Sequence, residues 1–414
     1  MPDSLSIGER LNQFNDLEII IKRVPPIKIG FFKKLILNLR LIQSNAFDDI
    51  NSIKYEQLKK KFAFLILDFF LKPVSFSILQ YFIDKLILYS PTSKIWNRIF
   101  AKHNIDLLFL STPGQKFFDL DPIQIAKKNK ITTFSSIYSL DNLTAKGYSF
   151  LNTDYLSVWN NTMKEDAVNL HGYISENVFV DGSAIADNFY KFKNISNDDS
   201  RINFLNSIGL KSTDKFITIA TIPQFYWGKN HILLTKDILS MDLNVIVLIK
   251  PHPMDVTNYD NLGSSRVVID PFHGGFEANK YEHNPTSWRT PSNHIENLSN
   301  IMMYSELVIN VASSIAIDAS IFNTPGINIA FDYETKNQAL PSKYLYKYTH
   351  YKRIIDTNGT YFSHDSEMLK TQIENILSGN DPANENRKTM ARNIYGIFDG
   401  NSIDRIVNNI EKIL

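Results

Sequence analysis

The run VLIKPHP, Val247–Pro253, decides the reading of this chain. Its apolar stretch ends in Lys250, and Pro251 and Pro253 then fix the backbone on either side of His252. A short apolar run that stops at a rigid turn reads as a buried parallel strand and its carboxyl end. In open α/β sheets, ligands sit beyond that end. The turn therefore presents Lys250 and His252 to a ligand with little conformational freedom. Both side chains can donate hydrogen bonds to a phosphate. The same residues also fit a rigid turn with a surface lysine and a partly buried histidine.

Working outward, short β-branched runs alternate with helical stretches, the rhythm of βαβ units and parallel sheets. On the carboxyl side of the chain, strands are expected at Phe216–Thr221, Asn244–Lys250, Arg266–Ile269, Leu307–Asn310 and Gly326–Ala330. Helices are expected at Ile232–Ser240, Ser292–Tyr304, Ser313–Phe322 and Ser366–Leu377. On the amino side, strands are expected at Leu17–Lys22, Asp106–Ser111, Ile131–Ile137, Tyr155–Trp159 and Asn177–Asp181, with helices at Asp121–Asn129 and Thr162–His171. The fold class is α/β: two doubly wound domains facing a cleft, with a helical insert in the first. The polar stretch Lys193–Arg201 marks the change of domain. The expected division is 1–192, with the insert at about 32–100, then 202–398, then a terminal helix over 399–414 that packs back on the first domain.

Composition fits this plan. The 414 residues are 43% hydrophobic and 21% charged, enough for two cores of about 200 residues each. A net charge of +1 gives no global pull toward nucleic acid. The absence of cysteine excludes thiol chemistry, disulfides and thiolate-bound metals, and suits a reducing compartment. The polar start and the lack of an apolar run of about 18 residues predict a cytoplasmic protein without a spanning helix.

A second segment, LVINVASSIAIDAS at Leu307–Ser320, reads as a buried strand, then a helix beginning at Ser313-Ser314. Free amides at a helix start attract anions, and two hydroxyls add donors. The local alternative is a serine that only caps the helix. Asp318 either faces the ligand or sits on the helix surface. A third segment, SIYSLDNLTAK at Ser136–Lys146, places Asp141 beyond the carboxyl end of a strand in the first domain. A carboxylate there can take a proton from an acceptor hydroxyl, although Asp-Asn is also ordinary turn chemistry. His171 is a rival base, or a helix-terminal residue beside Gly172.

Other signals carry less. Asp119-Leu120-Asp121 resembles a metal-diphosphate motif, but Pro122 follows it, so helix capping explains it better. His273, His283 and His294 lack metal-ligand spacing, and no metal is expected. Trp288, in the long loop at 270–292, fits either a base-stacking lid or a loop anchor. Gly-rich dinucleotide and P-loop motifs are absent. From Lys22 to Lys61 basic residues outnumber acidic ones, and FFKKLILNLRLI at Phe31–Ile42 interleaves lysine with apolar residues. That pattern fits an interfacial helix on an anionic membrane or a helix covering a sheet.

These segments resemble the GT-B glycosyltransferases of bacterial surface-polysaccharide synthesis, including the CDP-glycerol glycerophosphotransferase-like group. The likeness is carried by SLDNLTAKG with the VWNNTMKEDAVNLHGY and VFVDGSAIADNF that follow it, by KPHP, by ELVINVASSIAIDASIFNTPGINI, and by the ending FDGNSIDRIVNNIEKIL. It implies a UDP- or CMP/CDP-linked donor held by the second domain, with His252, Ser313 and Ser314 on the diphosphate and Lys250 and Asp318 beside it. It further implies a glycan or lipid-linked acceptor on the first domain, Asp141 as base, and inverting transfer without a cofactor. Phosphopolyol transfer, sugar-nucleotide epimerisation and a non-catalytic scaffold remain alternatives on the same fold.

Overall fold

The computed structural model describes residues 91–414 apart from 116, 147, 150, 196, 273–274, 277–287, 290–292 and 337–340, together with Tyr81 and Lys85. The expected strand Leu17–Lys22 and most of the insert at about 32–100 lie outside the described residues. Two compact units emerge: the described residues up to Asp187 with Tyr348–His350 and Asn393–Leu414, and Asn188–Lys347 with Tyr351–Arg392.

The first unit holds a parallel sheet of β1 (Leu107–Leu110), β2 (Thr132–Ser136), β3 (Tyr155–Val158) and β4 (Val178–Val180), paired in chain order. Its centre is aromatic. Phe134 is fully buried, with Phe109 of the neighbouring β1 at 5.9 Å on one side and Phe179 of β4, two strands away, at 6.2 Å on the other. The helix after β1 spans Phe117–Lys128 and so begins before the expected Asp121-Pro122 start. Neither Asp119 nor Asp121 caps it. Asp119 instead accepts a hydrogen bond from Thr112. Leu120 and Ile123 are both fully buried, so an apolar stripe at helical spacing extends the helix past the proline signal.

Helix Asn161–His171 starts on a side-chain cap, Asn160 accepting from the Met163 amide, and stops at Gly172, whose φ of 69° is left-handed. The terminal helix Ser402–Ile413 belongs to this unit. Its Arg405 donates to the Asp181 carbonyl and its Asn409 to the Asp181 carboxylate, both at 2.8 Å.

The second unit is a six-stranded parallel sheet: β5 (Phe216–Ala220), β6 (Ile246–Lys250), β7 (Val267–Ile269), β10 (Val308–Asn310), β11 (Gly326–Ile329) and β12 (Tyr361–Ser363). Between β7 and β10 a short antiparallel pair, β8 (Gly275–Phe276) and β9 (Trp288–Arg289), falls inside the long loop. The spatial order is β12-β11-β10-β5-β6-β7. By chain order that is the 3-2-1-4-5-6 arrangement of dinucleotide-binding folds, whose switch point lies between the first and fourth strands. Here those strands are β5 and β10.

Every residue of β5 is buried, as expected of a central parallel strand covered on both faces. Phe216, Leu248 and Ile301 pack with Phe204, Leu205 and Ile208 below it. The polar stretch Lys193–Arg201 is not an irregular linker. It contains the end of helix Ala184–Ile195 and the start of helix Asp198–Ser207, where Asn197 caps by accepting from the Ser200 amide. The division between units falls at Asp187/Asn188.

Candidate functional site

In the second unit, backbone pairing sets Lys250 beside Ala220 and Ala220 beside Asn310. The ends of β6 and β10 are therefore level across β5, about 10 Å apart at two strand spacings. The residues expected to bind a donor lie around the switch point of this sheet.

The turn after β6 is pinned to the end of β5. The Thr221 amide donates to the Lys250 carbonyl at 3.1 Å, and the His252 amide donates to Thr221 Oγ1 at 2.8 Å. His252 Nδ1 accepts the Met254 amide at 3.0 Å. In a neutral ring this bond puts the proton on Nε2, which becomes the donor. Burial lowers the ring's pKa to about 4, Lys250 adds to the fall, and Asp255 opposes it. Burial also lowers Lys250, while Asp270 and Asp318 push it back up. Asp318 thus stands within electrostatic reach of Lys250, across the end of β5.

Sequence reading missed several supporting residues. Asp255 accepts the Thr257 amide at 3.0 Å and the Tyr259 hydroxyl at 2.6 Å. His231 is 1% exposed and accepts the Ile222 amide through Nε2 at 3.1 Å. Its pKa is about 4 through burial, with Asp255 raising and His252 lowering it. Asp255 lies in the same turn, its amide donating to the His252 carbonyl at 2.8 Å, whereas His231 is set by the fold within electrostatic reach of His252.

The β10 side departs from expectation. The helix after β10 is Ile315–Ile321, of 7 residues, and Ser314 at its start makes no side-chain cap bond. Amides of the turn before it already have partners. The Ala312 amide goes to the Tyr346 hydroxyl and the Ser313 amide to Asn310 Oδ1, both at 3.0 Å. Ala312 has φ of 44°, unusual for a residue with a Cβ. The Ser313 amide, expected to face an anion, is therefore committed to Asn310, and the Ala312 amide beside it to Tyr346. Ser314, exposed, and Ser313, half-buried, still offer hydroxyls.

In the first unit, Asp141 lies in the turn after β2, as expected. Its carboxylate accepts from the Ser139 hydroxyl and pairs with Lys146 at 3.2 Å. His171 proves to be a core residue. It is 2% exposed, accepts the Ser149 amide through Nδ1 at 3.1 Å, and donates from Nε2 to the Leu143 carbonyl at 2.8 Å. Burial lowers its pKa to about 4. Both ring nitrogens are committed to holding the 143–149 segment, so the base reading of His171 gives way to a structural one. The Gly172 amide, not the imidazole, closes the helix end.

Among the described residues no group of three or more candidate ligands can hold a metal ion. None of the described helices is long and apolar enough to cross a membrane. His273 and His283, and the side chain of Trp288, lie outside the described residues, as does the basic segment Lys22–Lys61.

No family model and no curated protein matches this chain. Solved structures do. The UDP-GlcNAc 2-epimerase of Methanocaldococcus jannaschii, in complex with UDP-GlcNAc and UDP, aligns at a TM-score of 0.50 and 16% identity over 78% of this chain and 81% of its own. The UDP-GlcNAc 2-epimerase of Neisseria meningitidis bound to UDP-GlcNAc aligns at 0.50 and 14% identity, covering 80% and 82%. A variant of the wall teichoic acid polymerase TagF reaches 0.47 at 13% identity, covering 74% and 72%, which adds nothing to the assignment. At such identities the likeness is one of fold, and the fold is the GT-B type with two Rossmann-like parallel-sheet domains.

Proposed function

We propose that this chain is an enzyme that binds a nucleotide-activated sugar or polyol through its diphosphate and transfers the activated group to a glycan or lipid-linked acceptor. One observation carries the reading. His252 is held in a single neutral tautomer, its Nδ1 on the Met254 amide, beside Lys250 one strand from the switch point of a dinucleotide-type sheet.

In this reading His252 Nε2–H donates to a diphosphate oxygen, and Ser313 and Ser314 add hydroxyl donors from the β10 side. Lys250 supplies positive charge, and the Asp318 and Asp270 carboxylates oppose the loss of that charge on burial. Asp141 is the candidate base. It would take the acceptor proton only after exchanging its hydrogen bond from Ser139 for one from the acceptor. Neither Asp255 nor His231 touches the ligand; they hold the turns that present His252.

The test is a melting panel with UDP, CDP, CMP and GDP, then product analysis with the donor so identified. A ligand at a hundredfold excess over Kd should add about 2.7 kcal/mol of stability. Transfer or slow donor hydrolysis supports the reading. An epimerised sugar nucleotide formed without acceptor would replace it with epimerisation, and no response to any nucleotide would leave a scaffold.

A further inference from the structure

A pocket of about 370 Å³ opens in the second unit between helix Asp198–Ser207 and helix His294–Tyr304. That size sits at the low end of ligand pockets, roughly 300–1,000 Å³. We propose that it binds a neutral polyhydroxyl compound, a sugar or polyol, at a place separate from the diphosphate turn.

The lining chemistry selects the ligand. Among the described residues its one charged lining residue is Glu296 and no lysine or arginine lines it, so this lining offers a phosphate no counter-charge. Asn203, Asn297 and Asn300 supply amides instead. An amide presents a donor and an acceptor side by side, which matches the paired hydroxyls of a sugar ring. Partly buried Tyr304 and Phe272 supply aromatic surface for the C–H face of such a ring.

Asn297 provides an independent sign. It is 4% exposed and gives its Nδ2 to both carboxylate oxygens of Asp270 at 3.1 Å. Its Oδ1 is buried without a hydrogen-bond partner. A buried acceptor left unpaired is costly.

Saturation-transfer NMR with methyl α-D-glucopyranoside, glycerol, maltotriose and glucose 6-phosphate tests the proposal. Saturable transfer to the neutral probes is expected, weakened about tenfold in Asn300→Leu and in Asn203→Leu, about one hydrogen bond each. Both sites are surface-accessible, and unchanged melting would verify folding. Tighter binding of maltotriose than of the glucoside assigns the pocket to a glycan chain, and equal binding to a free ring. The titration repeated in His252→Ala should give the same affinity, so failure of the diphosphate reading leaves this one standing. The proposal is overturned by no saturable transfer to any neutral probe, by transfer undiminished in both leucine variants, or by preference for glucose 6-phosphate.

Discussion

His252 accepts the amide of Met254 through Nδ1 at 3.0 Å, and that single bond fixes which end of the ring a ligand meets. Only Pro253 separates donor from acceptor, so the bond survives any motion that leaves the turn intact. Replacing His252 by Ala removes the Nε2–H donor while Pro251 and Pro253 keep the backbone shape.

Hydrogen bonds to charged groups contribute about 1.5–3 kcal/mol. His252→Ala is therefore expected to weaken nucleoside diphosphate binding by roughly 10- to 100-fold, with little change in melting temperature. Isothermal titration checks this. Equal affinity in the variant and the parent would remove His252 from the site.

Acid should unfold this protein earlier than its carboxylates alone require. His171, His231 and His252 each have a pKa lowered from 6.5 to about 4, mainly by burial. A lowered folded value means the unfolded chain binds protons more readily. Stability from these rings is present above about pH 6.5 and is lost as pH falls toward 4. For the almost fully buried His171 the difference amounts to about 3 kcal/mol, at about 1.4 kcal/mol per pKa unit. Urea midpoints should therefore fall steeply between those pH values. His171→Gln should be less stable than the parent at pH 7 yet lose less on acidification. Parallel pH profiles for the two proteins would contradict the assignment.

Gly396 and Gly172 offer a matched pair for the backbone. Both have left-handed φ, 72° and 69°. A Cβ on Gly396 would collide with the Trp159 carbonyl, whereas one on Gly172 meets open space. Gly172→Ala is expected to cost about 1 kcal/mol, the conformational penalty alone. Gly396→Ala adds a backbone collision and should cost about 2–4 kcal/mol. Denaturant melts of both variants would show the ranking, and equal costs would place the Trp159 carbonyl elsewhere.

The chain's α/β class and the positions of its parallel strands in the second unit were legible because buried strands carry their own β-branched signature. VLIK, LVIN and GINI each fell in strands within a residue or two of expectation. Local punctuation misled where packing outweighed it. Pro122 lies inside a helix because Leu120 needed the same apolar face as Ile123. KNISNDDSR reads as a domain boundary by its polarity, yet Asn197 uses that polarity to cap a helix. The strand Tyr361–Ser363 is too short for its period to show.

By itself the sequence determined the β-branched runs, the proline-flanked histidine and the serine turn, since each depends on a few neighbouring residues. Tertiary structure decided which of them act together. It committed the Ala312 amide to Tyr346, set Asp318 within electrostatic reach of Lys250, and enclosed His171 in the core. The reason is physical. Strand and turn preferences are set by local sterics, whereas a side chain's hydrogen-bond partners and exposure depend on residues tens to hundreds of positions away, which only the folded chain brings to it.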